Sequence, residues 1–190
     1  MWGIDEVGRG PWAGPLVLSA VRLSSGIDGL ADSKKLSPKR RQELLVQINK
    51  DTNEVITEFI YAEELDSLGL AESMRVACER LFSSISKLGY DRIVVDGNLN
   101  YLSEHNNTEA VVKADSTVPE CMAASIVAKE ARDTYMREAE ERYPGYGFAS
   151  HVGYGTKQHM AAIEELGVCD EHRRSFKPIR KFIDNGRPQG

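Results

Sequence analysis

The chain has 190 residues, 41% of them hydrophobic, with a formal net charge of −5. That length suits about one globular domain, and the negative balance excludes a protein that coats nucleic acid through a general surplus of Lys and Arg. Cys78, Cys121 and Cys169 lie far apart and form no Cys-x-x-Cys motif, which predicts a reduced, cytoplasmic chain, and no apolar run approaches the roughly 18 residues of a membrane span.

Trp2 to Asp5 and Leu16 to Leu23 are apolar runs joined by a link carrying Gly8, Gly10, Pro11, Gly14 and Pro15, a pattern that predicts two strands and a tight connection. Ser37-Pro38 supplies a cap and a first-turn proline, and Leu44, Leu45 and Ile48 continue at helical spacing to about Asn49. Glu54 to Tyr61 alternates as a third strand. From Ala62 to Lys87 the apolar residues follow helical period, with Gly69 predicting a break between a short and a longer helix. Arg92 to Gly97 reads as an interior strand with Asp96 at its C-terminal end, and Val111 to Asp115 reads as a second strand of that design. A helix from about Pro119 to Arg142, a loop rich in Gly, Tyr and His, a helix from about Thr156 to Leu166 and a basic tail complete the chain.

This order predicts an α/β domain with a mixed central sheet flanked by helices, one side built as a hairpin and the other parallel. Residues 1–190 are expected to form one domain, with about 143–190 as a small helical C-terminal part. Two basic runs stand out, Lys34, Lys35, Lys39, Arg40 and Arg41, and Arg173, Arg174, Lys177, Arg180 and Lys181. Either alone reads as a solvated face; together they suit two flanks of an acidic site.

Four acids, Asp5, Glu6, Asp96 and Asp115, fall at or just past predicted strand ends, where open α/β sheets bind ligands. Any one of them alone reads as a turn or cap residue. If the strands are neighbours, the carboxylates converge and repel unless cations neutralise them. Hard divalent ions with oxygen ligands fit such a set, and two of them can activate a water and stabilise the leaving oxygen of a phosphodiester. Gly8-Arg9-Gly10 alone reads as a plain turn, or as backbone amides able to approach a ribose or phosphate. It is followed by a strand rather than a helix, so it is no dinucleotide fingerprint, and no organic cofactor is expected.

Larger motifs carry a resemblance. Gly3-Ile4-Asp5-Glu6-Val7-Gly8-Arg9-Gly10-Pro11 with Gly14-Pro15, then Asp32-Ser33-Lys34-Lys35-Leu36-Ser37, Val95-Asp96-Gly97-Asn98, Lys113-Ala114-Asp115-Ser116 and Ala123 to Lys129, resemble motifs of the ribonuclease HII family in their order. Tyr146-Gly147-Phe148, His151, Gly153-Tyr154-Gly155-Thr156, His159 and His172-Arg173-Arg174-Ser175-Phe176 are similar to the bacterial C-terminal pattern. The resemblance implies a ribonuclease H-like fold and a metal site of Asp5, Glu6, Asp96 and Asp115 loaded with Mg²⁺ or Mn²⁺. It also implies recognition of the junction between a ribonucleotide and a deoxynucleotide by Gly8, Arg9, Gly10 and Tyr154. Its expected substrates are RNA/DNA hybrids and duplex DNA containing ribonucleotides, cut 5′ of the ribonucleotide to leave a 3′-hydroxyl and a 5′-phosphate. A monomer is expected. A silent nucleic-acid binding module or a DNA nuclease of the same fold are the rival readings.

Lys34 and Lys35 read either as phosphate contacts or as a solvated loop, and Ser125 and Lys129 either as part of a helix whose Ala-rich face is core or as polar groups pointing to the substrate backbone. His151, His159 and His172 suggest loop hydrogen bonding rather than zinc, because a carboxylate-rich site prefers hard cations. Trp12, Asp66 and Glu130 depart from the family pattern. The chain stops soon after Arg180-Lys181, an expectation of salt-sensitive affinity.

Overall fold

The side-chain alternation of the first strand determines which of its residues reach the sheet's acidic edge and which pack beneath a helix. In this computed structural model, which describes residues 1–50 and 53–184, β1 (Trp2–Val7) is the middle strand of a five-stranded sheet ordered β3-β2-β1-β4-β5. It pairs antiparallel with β2 (Leu16–Arg22), Asp5 opposite Ser19, and parallel with β4 (Ile93–Asp96), Ile4 opposite Val95. β4 pairs parallel with β5 (Thr108–Val111), and β3 (Glu54–Ile60) lies outside β2. The expected mixed sheet, hairpin-built on one side and parallel on the other, is therefore present.

Successive residues of a strand face opposite sides. Gly3 and Asp5 face α4 (Pro119–Arg142): a Cβ on Gly3 would lie 2.4 Å from the backbone nitrogen of Cys121. Only a residue without a side chain lets that helix approach so near. On the same side Val94, Ala114 and Cys121 form a small core, and Val21, Leu44, Ile48, Ala123, Ala124, Ile126 and Val127 form a larger one with α1 (Pro38–Ile48). Ser37 caps α1 by accepting from the Arg40 amide, with Pro38 in the first turn as read from the sequence. Gly69, at φ 75°, separates α2 (Ala62–Leu68) from α3 (Leu70–Leu88) where the break was expected.

Three expectations need correction. The strand read over Val111 to Asp115 ends at Val111. Lys113 adopts the left-handed conformation, φ 60° and ψ 36°, and turns the chain into a 3-10 turn, Ala114–Ser116, while Val112 is 65% exposed. The Gly, Tyr and His loop contains a one-turn helix, α5 (Phe148–His151), and the basic tail contains α7 (Lys177–Asp184) after α6 (Lys157–Leu166).

The chain divides into two compact units. Met1–Val7, Val17–Phe59 and Met74–Glu130 make the first, with the sheet's centre. Gly8–Leu16, Ile60–Ser73 and the chain from Ala131 onward make the second, whose core is Ala13, Met136, Ala139, Tyr146, Phe148, Ile163, Val168 and Ile179. Among the described residues no helix is long and apolar enough to cross a membrane.

Candidate active site

In the first unit, Asp5, Asp96 and Asp115 each offer a carboxylate oxygen within 4.8 Å of the others. Register explains the first two: Ile4 opposite Val95 on parallel strands makes Asp5 and Asp96 the next neighbours, pointing to one face. Asp115 reaches them from the 3-10 turn, and its backbone amide donates to Asp96 Oδ1 at 3.3 Å. Asp5 and Asp115 are buried and Asp96 is half-buried.

Burial drives the Asp5 pKa well above the ordinary carboxylate value, and Glu6, Asp96 and Asp115 push it further, against the Glu6 amide that donates to Oδ1 at 2.8 Å. Asp96 is raised chiefly by burial, with the charge of Asp115 adding to it. Such a set gains by taking up positive charge, and three hard oxygen donors suit Mg²⁺ or Mn²⁺ far better than zinc. Among the described residues this is the one group of three converging metal-ligating side chains.

Glu6 lies outside that group of three. Strand alternation turns it away from Asp5. Its charge nonetheless acts on Asp5, ahead of that of Asp96 among the causes that raise the Asp5 carboxyl.

The lysines arrive on a 3-10 turn, Ser33–Lys35, capped by Asp32. Lys34 Nζ is 3.9 Å from Asp115 Oδ2, and Lys35 Nζ donates to Ser116 Oγ at 3.2 Å. Ser125 is buried: its hydroxyl donates to Met122 O and accepts the Ser33 amide at 3.2 Å. It seats the turn that carries both lysines. The Glu130 departure also has an account, because its carboxylate pairs with Arg41 at 2.7 Å where both are buried. Arg41 is thus no surface cation.

In the second unit, the loop holding Gly8, Arg9 and Gly10 is shaped by two buried arginines. Arg173 donates to the carbonyls of Gly14 (2.9 Å), Arg9 (3.2 Å) and Gly8 (2.6 Å). Arg132 donates to those of Pro15 (2.9 Å), Ala13 (3.0 Å) and Val152 (2.8 Å). Burial lowers both guanidinium pKa values, to about 9 for Arg173 and about 10 for Arg132, still charged at neutral pH. In a trans peptide the N–H opposes the C=O. With the Gly8 and Arg9 carbonyls turned to Arg173, the amides of Arg9 and Gly10 face the other way. Sequence reading missed Arg173 as an organiser, since it sits in a charge run and its partners are backbone atoms.

Tyr154 is 46% exposed, and a Cβ on Gly10 would lie 3.9 Å from its ring. Asp66 accepts the amides of Arg174 (2.6 Å) and Ser175 (2.9 Å), fixing the segment after Arg173. The three histidines make hydrogen bonds as expected, and Trp12 packs its ring 5.8 Å from that of His159.

The family model described as Ribonuclease HII matches residues 2–179. The chain is 42% identical over 186 residues to ribonuclease HII of Coxiella burnetii, covering 95% of this chain and 89% of that one. It is 44% identical over 183 residues to ribonuclease HII of Vibrio parahaemolyticus, covering 95% and 86%. Among solved structures it resembles RNase HII of Archaeoglobus fulgidus, solved in complex with PCNA, with TM-score 0.77, 27% identity and coverage of 93% and 94%. The fold is shared with an RNase HIII solved with Mn²⁺, TM-score 0.71 at 18% identity, covering 98% of this chain and 70% of that one.

Proposed function

The chain belongs to the ribonuclease HII family, and from that premise we propose that this ribonuclease H-type hydrolase cuts RNA paired with or embedded in DNA. Cleavage falls on the 5′ side of a ribonucleotide and leaves a 3′-hydroxyl and a 5′-phosphate. Its task is removal of misincorporated ribonucleotides and RNA primers. The observation that carries the reading is the convergence of Asp5, Asp96 and Asp115 within 4.8 Å at the sheet's C-terminal edge.

Asp5, Asp96 and Asp115, with Glu6 on the same strand, are the residues to hold two divalent ions, Mg²⁺ or Mn²⁺. When bound, these supply an activated water and neutralise charge on the departing 3′-oxygen. The protein's share is to hold the three converging carboxylates in place before the substrate arrives. Lys34 and Lys35, on the turn seated by Ser125, supply positive charge to scissile-strand phosphates. The outward amides of Arg9 and Gly10 are donors for a ribose 2′-hydroxyl, and the exposed Tyr154 ring stacks on the sugar or base beside it.

Duplex DNA carrying one ribonucleotide tests the proposal, with an all-DNA duplex as control. Wild-type protein should cut the first only, 5′ of the ribonucleotide, and lose that activity in EDTA. Near wild-type cutting by Asp96→Asn or Asp115→Asn, cutting in EDTA, or cutting of the all-DNA duplex overturns it. Tyr154→Ala should slow cleavage at a single ribonucleotide.

A further inference from the structure

Behind Tyr154 lie three buried histidines, His151, His159 and His172, and the buried Cys169. Their hydrogen bonds admit one arrangement of protons. His159 Nδ1 is 3.0 Å from the carbonyl oxygen of Tyr154. A carbonyl only accepts, so Nδ1 carries the hydrogen, and a neutral ring then leaves Nε2 as an acceptor. His172 Nε2, 3.1 Å away, must donate to it. That makes His172 Nδ1 an acceptor, and it receives the Cys169 amide at 3.0 Å and faces the Cys169 thiol at 3.1 Å; the Cys169 carbonyl, a longer 3.3 Å from Nδ1, accepts the His172 amide at 3.1 Å instead. His151 is ordered separately: Nε2 donates to Tyr146 O at 2.8 Å and Nδ1 accepts the Gly153 amide at 3.2 Å.

The chain of donors therefore runs from Cys169 through His172 and His159 to the Tyr154 carbonyl. An extra proton on His159 Nε2 breaks it, because two N–H groups would then face each other at the His159–His172 contact. Burial, the largest cause, pushes His159 down to about 4 and His172 to about 3. Titratable and charged groups facing the pair include His151, Cys169, Tyr146 and Arg174. Phe148 packs edge-on to His159 at 5.6 Å between ring centroids, and Tyr146 lies 5.2 Å from His172.

The half-exposed Tyr154 ring leaves the position of that residue to its backbone. Its amide donates to His151 O at 2.9 Å, and its carbonyl accepts from Thr156 N at 2.8 Å as well as from His159. Gly153, just before it, accepts the Trp12 amide at 2.8 Å, tying the segment to the loop that follows Gly10.

We propose that Cys169, His172 and His159 form a proton-ordered chain that holds Tyr154 in place for ribonucleotide recognition, with His159 as the positioning residue. The proposal rests on the reading of Tyr154 given under Proposed function. His159 touches no substrate; it acts through the Tyr154 carbonyl.

Two substitutions separate the donor from the ring. His159→Phe keeps a ring of similar size and removes the donor, whereas His159→Asn places an amide N–H near the position of Nδ1. Steady-state cleavage is measured on duplex DNA with one ribonucleotide and on a long RNA/DNA hybrid, alongside thermal unfolding. His159→Phe should lower kcat/KM about tenfold at the single ribonucleotide, the order expected of a misplaced contact group, while the hybrid is cut at near wild-type rates. His159→Asn should recover most of the loss. Equal losses on both substrates, or no rescue by Asn, leave a merely structural role and overturn the proposal.

Ring ¹⁵N shifts at neutral pH should report the Nδ1–H tautomer for His159 and Nε2–H for His172; the opposite tautomers overturn the proton order without reference to activity. Unchanged single-ribonucleotide cleavage by Tyr154→Ala, with the predicted tautomers present, marks failure of the Tyr154 reading itself and ends the recognition role of the chain.

Discussion

Replacing Asp5 by Asn should abolish cleavage and, in the absence of divalent ions, make the protein more stable. The carboxylate oxygens of Asp5, Asp96 and Asp115 lie within 4.8 Å of one another. At that separation and an effective dielectric of about 20, two full charges repel by about 3.5 kcal/mol. Solvent around the half-buried Asp96 screens part of this repulsion, so the net gain is about 1–3 kcal/mol. Asn keeps an oxygen for the Glu6 amide, now 2.8 Å from Asp5 Oδ1.

The sign with pH comes from linkage. Asp5 holds its proton to higher pH in the folded state than in the unfolded one. Below the ordinary carboxylate range both states are protonated and the wild type suffers no penalty. As pH rises through the folded value, the wild type loses stability and the variant does not. Urea unfolding in chelator at pH 5, 6.5 and 8 should show the gap opening with pH, and added Mn²⁺ should narrow it by binding the folded wild type. A variant no more stable than wild type at pH 8, or a gap that ignores pH, refutes the reasoning.

Arg173→Met should cost about 3–5 kcal/mol, since it strips charged hydrogen bonds from the carbonyls of Gly8, Arg9 and Gly14; denaturant unfolding reads this, and Arg173→Lys should recover little because an ammonium lacks the planar fork. Lys34→Ala should reduce the salt slope of kcat/KM by about 1 if its ammonium, 3.9 Å from Asp115, meets one substrate phosphate. Glu130→Ala should cost about 3 kcal/mol by removing the carboxylate that pairs with buried Arg41 at 2.7 Å; unfolding of the Arg41→Leu/Glu130→Leu double variant should show most of that loss restored.

What was legible in the sequence differs by residue. Asp96 ends a β-branched run, and the register of β4 on β1 brings it beside Asp5 as strand-end reasoning expects. Asp115 reaches the same place by another path. The apolar pair Val111-Val112 imitates a continuing strand, but the left-handed Lys113 ends it, and nothing in the identity of a lysine announces that conformation. Arg173 was hidden for a different reason. Like those of Arg132, its partners are carbonyl oxygens, which every residue carries, so no complementary side chain marks the contact. α7 was hidden inside a charge run, where Ile179 is buried and Phe182 and Ile183 pack against the same core.

The same two arginines set a timetable for assembly. Gly8 and its partner Arg173 are 165 positions apart, and Pro15 and Arg132 are 117 apart. Contacts of such sequence separation form late, after the entropy of closing a long loop has been overcome by other docking. A ribosome making this chain releases the glycine loop long before its clamps. The peptide planes at Arg9 and Gly10 thus acquire their orientation only after Arg173 has emerged, and a nascent chain already displaying the acids of β1 has no ordered Gly8-Arg9-Gly10 loop.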